Sequence, residues 1–128
     1  MLGKETIKKI EEIVQIAHAA KWDRKFINNL PDVAFAVLEK WSGSRKDNEG
    51  KTVPRNLRAL PHHSVNVKTG TENTTVDLPH LRAAMARLNQ VKPTKDEDSA
   101  GRMQNVAKTH LFKHAKKLLP NFDPKRFE

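Results

Sequence analysis

Prolines at 93 and 120 bracket the segment that most constrains this chain. Proline lacks the N–H that a helix interior needs, so each marks a stop, and the residues between them carry the longest helix-compatible pattern. The pattern predicts a helix from about Lys95 or Asp98 to Leu119, with Thr94 and Glu97 at the spacing of a capping box. At 100° per residue, Met103, Ala107, His110, Leu111, His114 and Leu118 share one face. Arg102, Lys113, Lys116 and Lys117 fall on nearly the opposite face, with Lys108 to one side. Gly101 weakens this helix by roughly 1 kcal/mol relative to alanine.

The remaining segments supply what the apolar face can pack against. Ile7, Ile10, Val14 and Ala17 recur at helical spacing, so residues 4–20 are expected to form an amphipathic helix. The run 30–41 is the most apolar; Asp32 could cap a helix there, which is the favoured reading, although Val33, Phe35 and Val37 also fit an alternating strand. Asp77 is an N-cap ahead of Leu78 and Pro79, and Leu78, Leu81, Met85 and Leu88 form an apolar stripe. Between these lie two polar loops. The first, 42–60, is basic and is broken by Gly43, Gly50 and Pro54, with a helical turn possible near Arg55 to Leu60. The second, 64–76, is rich in Thr and Asn and is expected to have a mobile tip. The expected fold is all-α: a compact single-domain bundle of about four to six helices over residues 1–119, with a tail or linker at 120–128 that Phe122 and Phe127 tack onto the body.

Charge narrows the partner. Lysine plus arginine number 24 against 15 acidic residues, a formal net charge of +9. Such an excess costs self-repulsion in a compact state, and a polyanionic partner offsets it. There is no cysteine, which excludes disulfides and thiolate metal sites. Charged residues interrupt the N-terminal apolar pattern, so it is not a signal peptide, and no stretch approaches the roughly 20 apolar residues of a membrane span. The expected setting is a soluble cytoplasmic protein, monomeric and away from membranes.

The candidate DNA-contacting residues are Arg45, Lys46, Lys51, Arg55 and Arg58 in the basic loop, and Arg102, Lys113, Lys116 and Lys117 on the last helix. Arginine forks and lysine ammonium groups suit phosphate oxygens, and such contacts position a protein without reading sequence. Asp47 and Glu49 dilute the loop's charge. There are six histidines; His62 and His63 are adjacent, and His110 and His114 sit at i and i+4. That last spacing can place two imidazoles on one metal, but the pair lies on the apolar face and lacks the glutamate of a His-Glu-x-x-His protease motif. A structural role is therefore expected for them, with no metal and no cofactor. No glycine-rich phosphate loop, cysteine nucleophile or Lys-x-Asp-Gly signature is present, so no enzymatic activity is expected. With no tyrosine and two tryptophans, base stacking is disfavoured relative to backbone contacts on duplex.

Several blocks together resemble a known module. They are Leu30-Pro31-Asp32-Val33-Ala34-Phe35-Ala36, Asp47-Asn48-Glu49-Gly50-Lys51-Thr52-Val53-Pro54-Arg55, Arg58-Ala59-Leu60-Pro61-His62-His63, Asp77-Leu78-Pro79-His80-Leu81-Arg82 and its continuation to Gln90, and His110-Leu111-Phe112-Lys113-His114-Ala115-Lys116. Over roughly residues 29–117 their order resembles a small helical module of phage and metagenomic proteins found beside prohead proteases. It also resembles the N-terminal DNA-binding domain of certain viral or thermophile-type ATP-dependent DNA ligases. The resemblance implies an all-α accessory domain linked covalently to a ligase catalytic domain, in the host cytoplasm if viral. The alternative context is a protein-interaction module in phage head maturation. The loop 64–76 is longer than the family pattern.

Overall fold

The computed structural model describes residues 22–127, so the helix expected at 4–20 lies outside the described residues. Helix α1 (Arg24–Asn29) starts at Asp23, whose carboxylate accepts from Phe26 N–H at 2.8 Å. A 3-10 turn (Asp32–Ala34) leads into strand β1 (Phe35–Leu38). A short hairpin follows, β2 (Arg45–Lys46) against β3 (Thr52–Val53), and a second 3-10 turn (Arg55–Leu57) leads into β4 (Arg58–Pro61). Helix α2 (Leu78–Ala86) and the long helix α3 (Ala100–Leu118) complete the frame.

The all-α expectation is therefore corrected. Among the described residues the fold is mixed α/β, with three α-helices and two small two-stranded antiparallel sheets rather than a bundle of four to six helices. The overturned segment is 30–41. Its β-branched and aromatic residues pair in an extended register, Phe35 opposite Pro61 and Val37 opposite Ala59. Asp32 does not cap a helix through its side chain. Its carboxylate reaches across the fold, taking Thr52 N–H at 2.8 Å and Thr52 Oγ–H at 2.6 Å and pairing with Lys46. A partner twenty residues away decides the local conformation, which no local pattern can register.

The main core lies where α3 crosses β1 and α2. Leu81, Ala84, Met85 and Leu88 meet Met103, Ala107, Leu111 and Ala115, with Ala36 and Val37 beneath them. A second cluster joins Leu30, Ala34, Phe35 and Val67. The tail returns as expected, with Phe122 and Phe127 edge-on to Phe112 at 4.9 and 5.7 Å between ring centroids. No helix among the described residues is long and apolar enough to cross a membrane.

Helix α3 begins at Ala100 and not at Lys95, because the capping-box residues are used elsewhere. Ser99 caps it, accepting from Arg102 N–H at 3.1 Å. Glu97 accepts Ser42 N–H and Oγ–H, both at 2.6 Å, and Asp98 accepts Lys40 N–H at 2.7 Å. Glu39, 4% exposed, takes Thr94 N–H, Thr94 Oγ–H and Lys95 N–H at 2.7, 3.0 and 2.8 Å. Carboxylates thus bolt segment 94–98 to the end of β1. Replacing Glu39 with glutamine turns an amide donor toward these donors and should cost about 1–3 kcal/mol. Urea denaturation checks this; a change under about 0.5 kcal/mol counts against the clamp.

The loop 64–76 is folded onto the body rather than carrying a free tip. Val67 and Gly70 are buried. Glu72 collects the N–H groups of Lys68, Thr69 and Gly70 at 3.2, 3.1 and 2.8 Å. Gly70 has φ +82°, and a Cβ there would lie 2.4 Å from the Val33 carbonyl oxygen, so only glycine fits.

Candidate functional site

The nine basic residues expected to contact DNA fall into two groups. Five are held by the protein itself. Arg58 is fully buried: its guanidinium donates to the carbonyls of Leu30, Ile27 and Asn28 and lies 4.2 Å over the Phe35 ring. Arg102 grips Asp98 through Nε at 2.6 Å and through Nη2, which also donates to the Leu38 carbonyl at 3.0 Å. Arg55 pairs with Asp47 at 2.6 Å, Lys51 with Glu49 at 2.7 Å, and Lys46 with Asp32. The hydrogen bond from Arg55 leads the effects that hold the Asp47 carboxyl at about 2. Lys51–Glu49, Arg55–Asp47 and Arg102–Asp98 are pairs between near neighbours in the sequence, while Asp32 comes to Lys46 and Arg58 from further away.

Four candidates remain outward. Arg45, Lys113, Lys116 and Lys117 are exposed, and among the described residues no ion pair reaches them. Lys116 and Lys117 occupy the last turn of α3, where the helix dipole favours cations by roughly 0.3–1 kcal/mol each. Arg45 stands in the β2–β3 hairpin, which is tied to Asp32 through Lys46 and Thr52.

The fold also brings together the two histidine pairs for which the sequence predicts a structural role. His62 and His63 follow β4, while His110 and His114 project from successive turns of α3. One ring nitrogen from each lies within 4.8 Å of the others. His62, His63 and His114 are 0%, 0% and 1% exposed, and His110 is half-buried. The Nε2 atoms of His62 and His110 are 3.0 Å apart. Outside the cluster, His62 Nδ1 contacts the Leu60 carbonyl at 2.9 Å, His63 Nδ1 contacts Thr75 Oγ1 at 2.8 Å, and His114 Nδ1 contacts Asn73 Oδ1 at 2.8 Å. Leu60 has φ +62°, a left-handed conformation that costs roughly 1–3 kcal/mol for a side chain of this size.

Burial dominates the titration of this group. It pushes His62 down to about 3 and His110 to about 4, and lowers His63 and His114 as well; repulsion from neighbouring rings adds to it at His62, His63 and His110. At neutral pH the rings are uncharged and carry free lone pairs, the form that ligates a metal. His80 is separate, bonded to Asp77 and stacked on Trp22 at 3.4 Å between centroids. The signal in the sequence was the conjunction of an adjacent pair with an i,i+4 pair on a buried face. Neither pair alone reveals that the residues just after β4 lie against α3.

Compared with protein-family models, with curated proteins and with solved structures, the chain matches none. The ligase and prohead-protease contexts therefore rest on the sequence blocks alone.

Proposed function

We propose that this chain is a non-enzymatic module that binds double-stranded DNA through phosphate contacts, without reading its sequence, as an accessory domain of an ATP-dependent DNA ligase. The observation that carries the reading is the exposed cluster Lys113, Lys116 and Lys117 at the end of α3, where among the described residues no carboxylate pairs with the three neighbouring cations. Repulsion within such a cluster is relieved by a row of phosphates. Arg45, exposed in the β2–β3 hairpin, adds a second contact. The ligase context comes from the resemblance of the blocks between residues 29 and 117. A few phosphate contacts give weak, salt-sensitive affinity, on the order of micromolar, and tethering converts that into avidity for a linked catalytic domain.

Fluorescence anisotropy with a random duplex at two salt concentrations tests this. Joint replacement of Lys113, Lys116 and Lys117 by glutamine should weaken binding to all sequences alike and reduce the salt slope by about 2–3. Arg58 and Arg102 are not used as probes, because their loss disturbs the fold. An absence of binding at low salt sinks the proposal and favours the alternative, an interaction module meeting acidic protein segments. An unchanged slope in the triple variant removes α3 from the interface.

A further inference from the structure

We propose that His62, His63, His110 and His114 form a metal site for one divalent transition cation of the zinc class, bound through their Nε2 atoms. The proposal is independent of duplex binding and stands or falls without it.

Four geometric features converge. Tetrahedral zinc at about 2.0–2.1 Å from each nitrogen needs nitrogens about 3.3 Å apart. The His62–His110 pair is already at 3.0 Å and the set spans 4.8 Å, so modest tilting of rings closes the shell. Three of the rings are tethered through Nδ1 to oxygen atoms outside the cluster, Leu60 O, Thr75 Oγ1 and Asn73 Oδ1. Histidine ligands are oriented in this way, the outer hydrogen bond fixing the tautomer that leaves Nε2 free.

His63 Nε2 is fully buried and has no hydrogen-bond partner. A buried nitrogen lone pair without a donor is costly, and a cation supplies what it lacks. His114 has the matching problem. Its Nδ1 faces Asn73 Oδ1 and its Nε2 faces the Gly70 carbonyl at 3.1 Å, two acceptors for the one hydrogen of a neutral ring. A cation on Nε2 resolves this, with Nδ1–H donating to Asn73.

The chemistry of the donors selects the ion. Four imidazole nitrogens suit zinc, copper, nickel or iron and not calcium or magnesium, which take oxygen. Glu72, whose carboxylate is fixed by the N–H groups of Lys68, Thr69 and Gly70, lies near enough to His63 and His114 to bias their charge. It supplies the negative charge that a cation held by four neutral ligands needs close by. Four protein ligands close a tetrahedral shell, so the role is structural. The ion would staple segment 62–76 to α3, and Lys113 lies between two of its ligands on that helix.

The test uses the full chain, stripped with a chelator and dialysed. Titration with Zn²⁺ against a chromophoric chelator should show one equivalent bound with sub-micromolar affinity. Co²⁺ should give the strong visible bands of a four-coordinate site. Zinc at a hundredfold excess over its Kd should raise Tm by roughly 10 °C. His110→Ala, at the least buried ring, should weaken binding at least about tenfold, and His80→Gln should leave it unchanged. Should His110→Ala fail to fold, ring ¹⁵N shifts of the parent protein decide: one equivalent of Zn²⁺ should move the Nε2 signals of four histidines. No saturable uptake, uptake unchanged by His110→Ala, or Nε2 signals that stay still would each overturn the site and leave a hydrogen-bonded histidine cluster in the core.

Discussion

Replacing Arg58 with leucine is expected to destabilise the protein by about 3–5 kcal/mol. The side chain is 0% exposed and its guanidinium donates to three backbone carbonyls, those of Leu30, Ile27 and Asn28. These close the end of α1 and the turn after it, where the chain has run out of helical donors. Leucine fills part of the volume but takes this donor from the Leu30 and Asn28 carbonyls, each loss costing about 1–3 kcal/mol, while the Ile27 carbonyl keeps Leu30 N–H at 3.1 Å. It also removes the cation from the Phe35 face and from beside Asp32, 3.5 Å away. Against a total stability of about 5–15 kcal/mol, the loss leaves little margin. Arg58→Lys is expected to recover less than half of it, since one ammonium cannot span the carbonyls that a planar fork reaches. Guanidinium chloride denaturation of both variants measures this. A cost below about 1 kcal/mol for the leucine variant would show that water satisfies these carbonyls.

Acidification of the metal-free protein is expected to cause the other large loss. His62 titrates near 6.5 when unfolded and at about 3 in the folded chain, chiefly because burial disfavours its charged form. Between those values the unfolded state binds a proton that the folded state excludes, so stability rises with pH across the window. The contribution is complete above about pH 6.5 and is lost as pH falls toward 3. The slope is about 1.4 kcal/mol per pH unit for one such group, so His62 alone removes about 2 kcal/mol between pH 7 and 5. His110, half-buried and lowered to about 4, adds to the loss by a smaller amount. The depressed carboxylates Asp32, Asp47 and Asp98 act only at lower pH, because an unfolded carboxyl begins to protonate near 4. Denaturation curves at pH 7, 6 and 5 separate the two classes. Stability that stays flat across that range would mean the rings take up protons without penalty. His62→Leu should flatten part of the slope.

What was legible in the sequence came from patterns that local physics enforces. The Asp77 cap, the α2 stripe and the body of α3 follow from side-chain periodicity and from the N–H groups a helix start leaves open. The return of Phe122 and Phe127 was legible for a similar reason, since two aromatic rings just beyond Pro120 favour burial against nearby apolar surface. The sequence by itself also determined the net positive charge and the absence of thiolate chemistry.

Tertiary structure decided the rest. Phe35–Leu38 became a strand because β4, more than twenty residues on, offered the pairing edge, and Asp32 was drawn from a cap to Thr52. Thr94 and Glu97 left their capping-box roles because Glu39 and Ser42 lay within reach. Arg58 and Arg102 turned from candidate phosphate contacts into internal clamps for the same reason. The histidines that follow β4 met those of α3 only when the chain folded. Interactions between residues far apart in the chain depend on which surfaces burial brings together, and a one-dimensional pattern carries spacing but not adjacency.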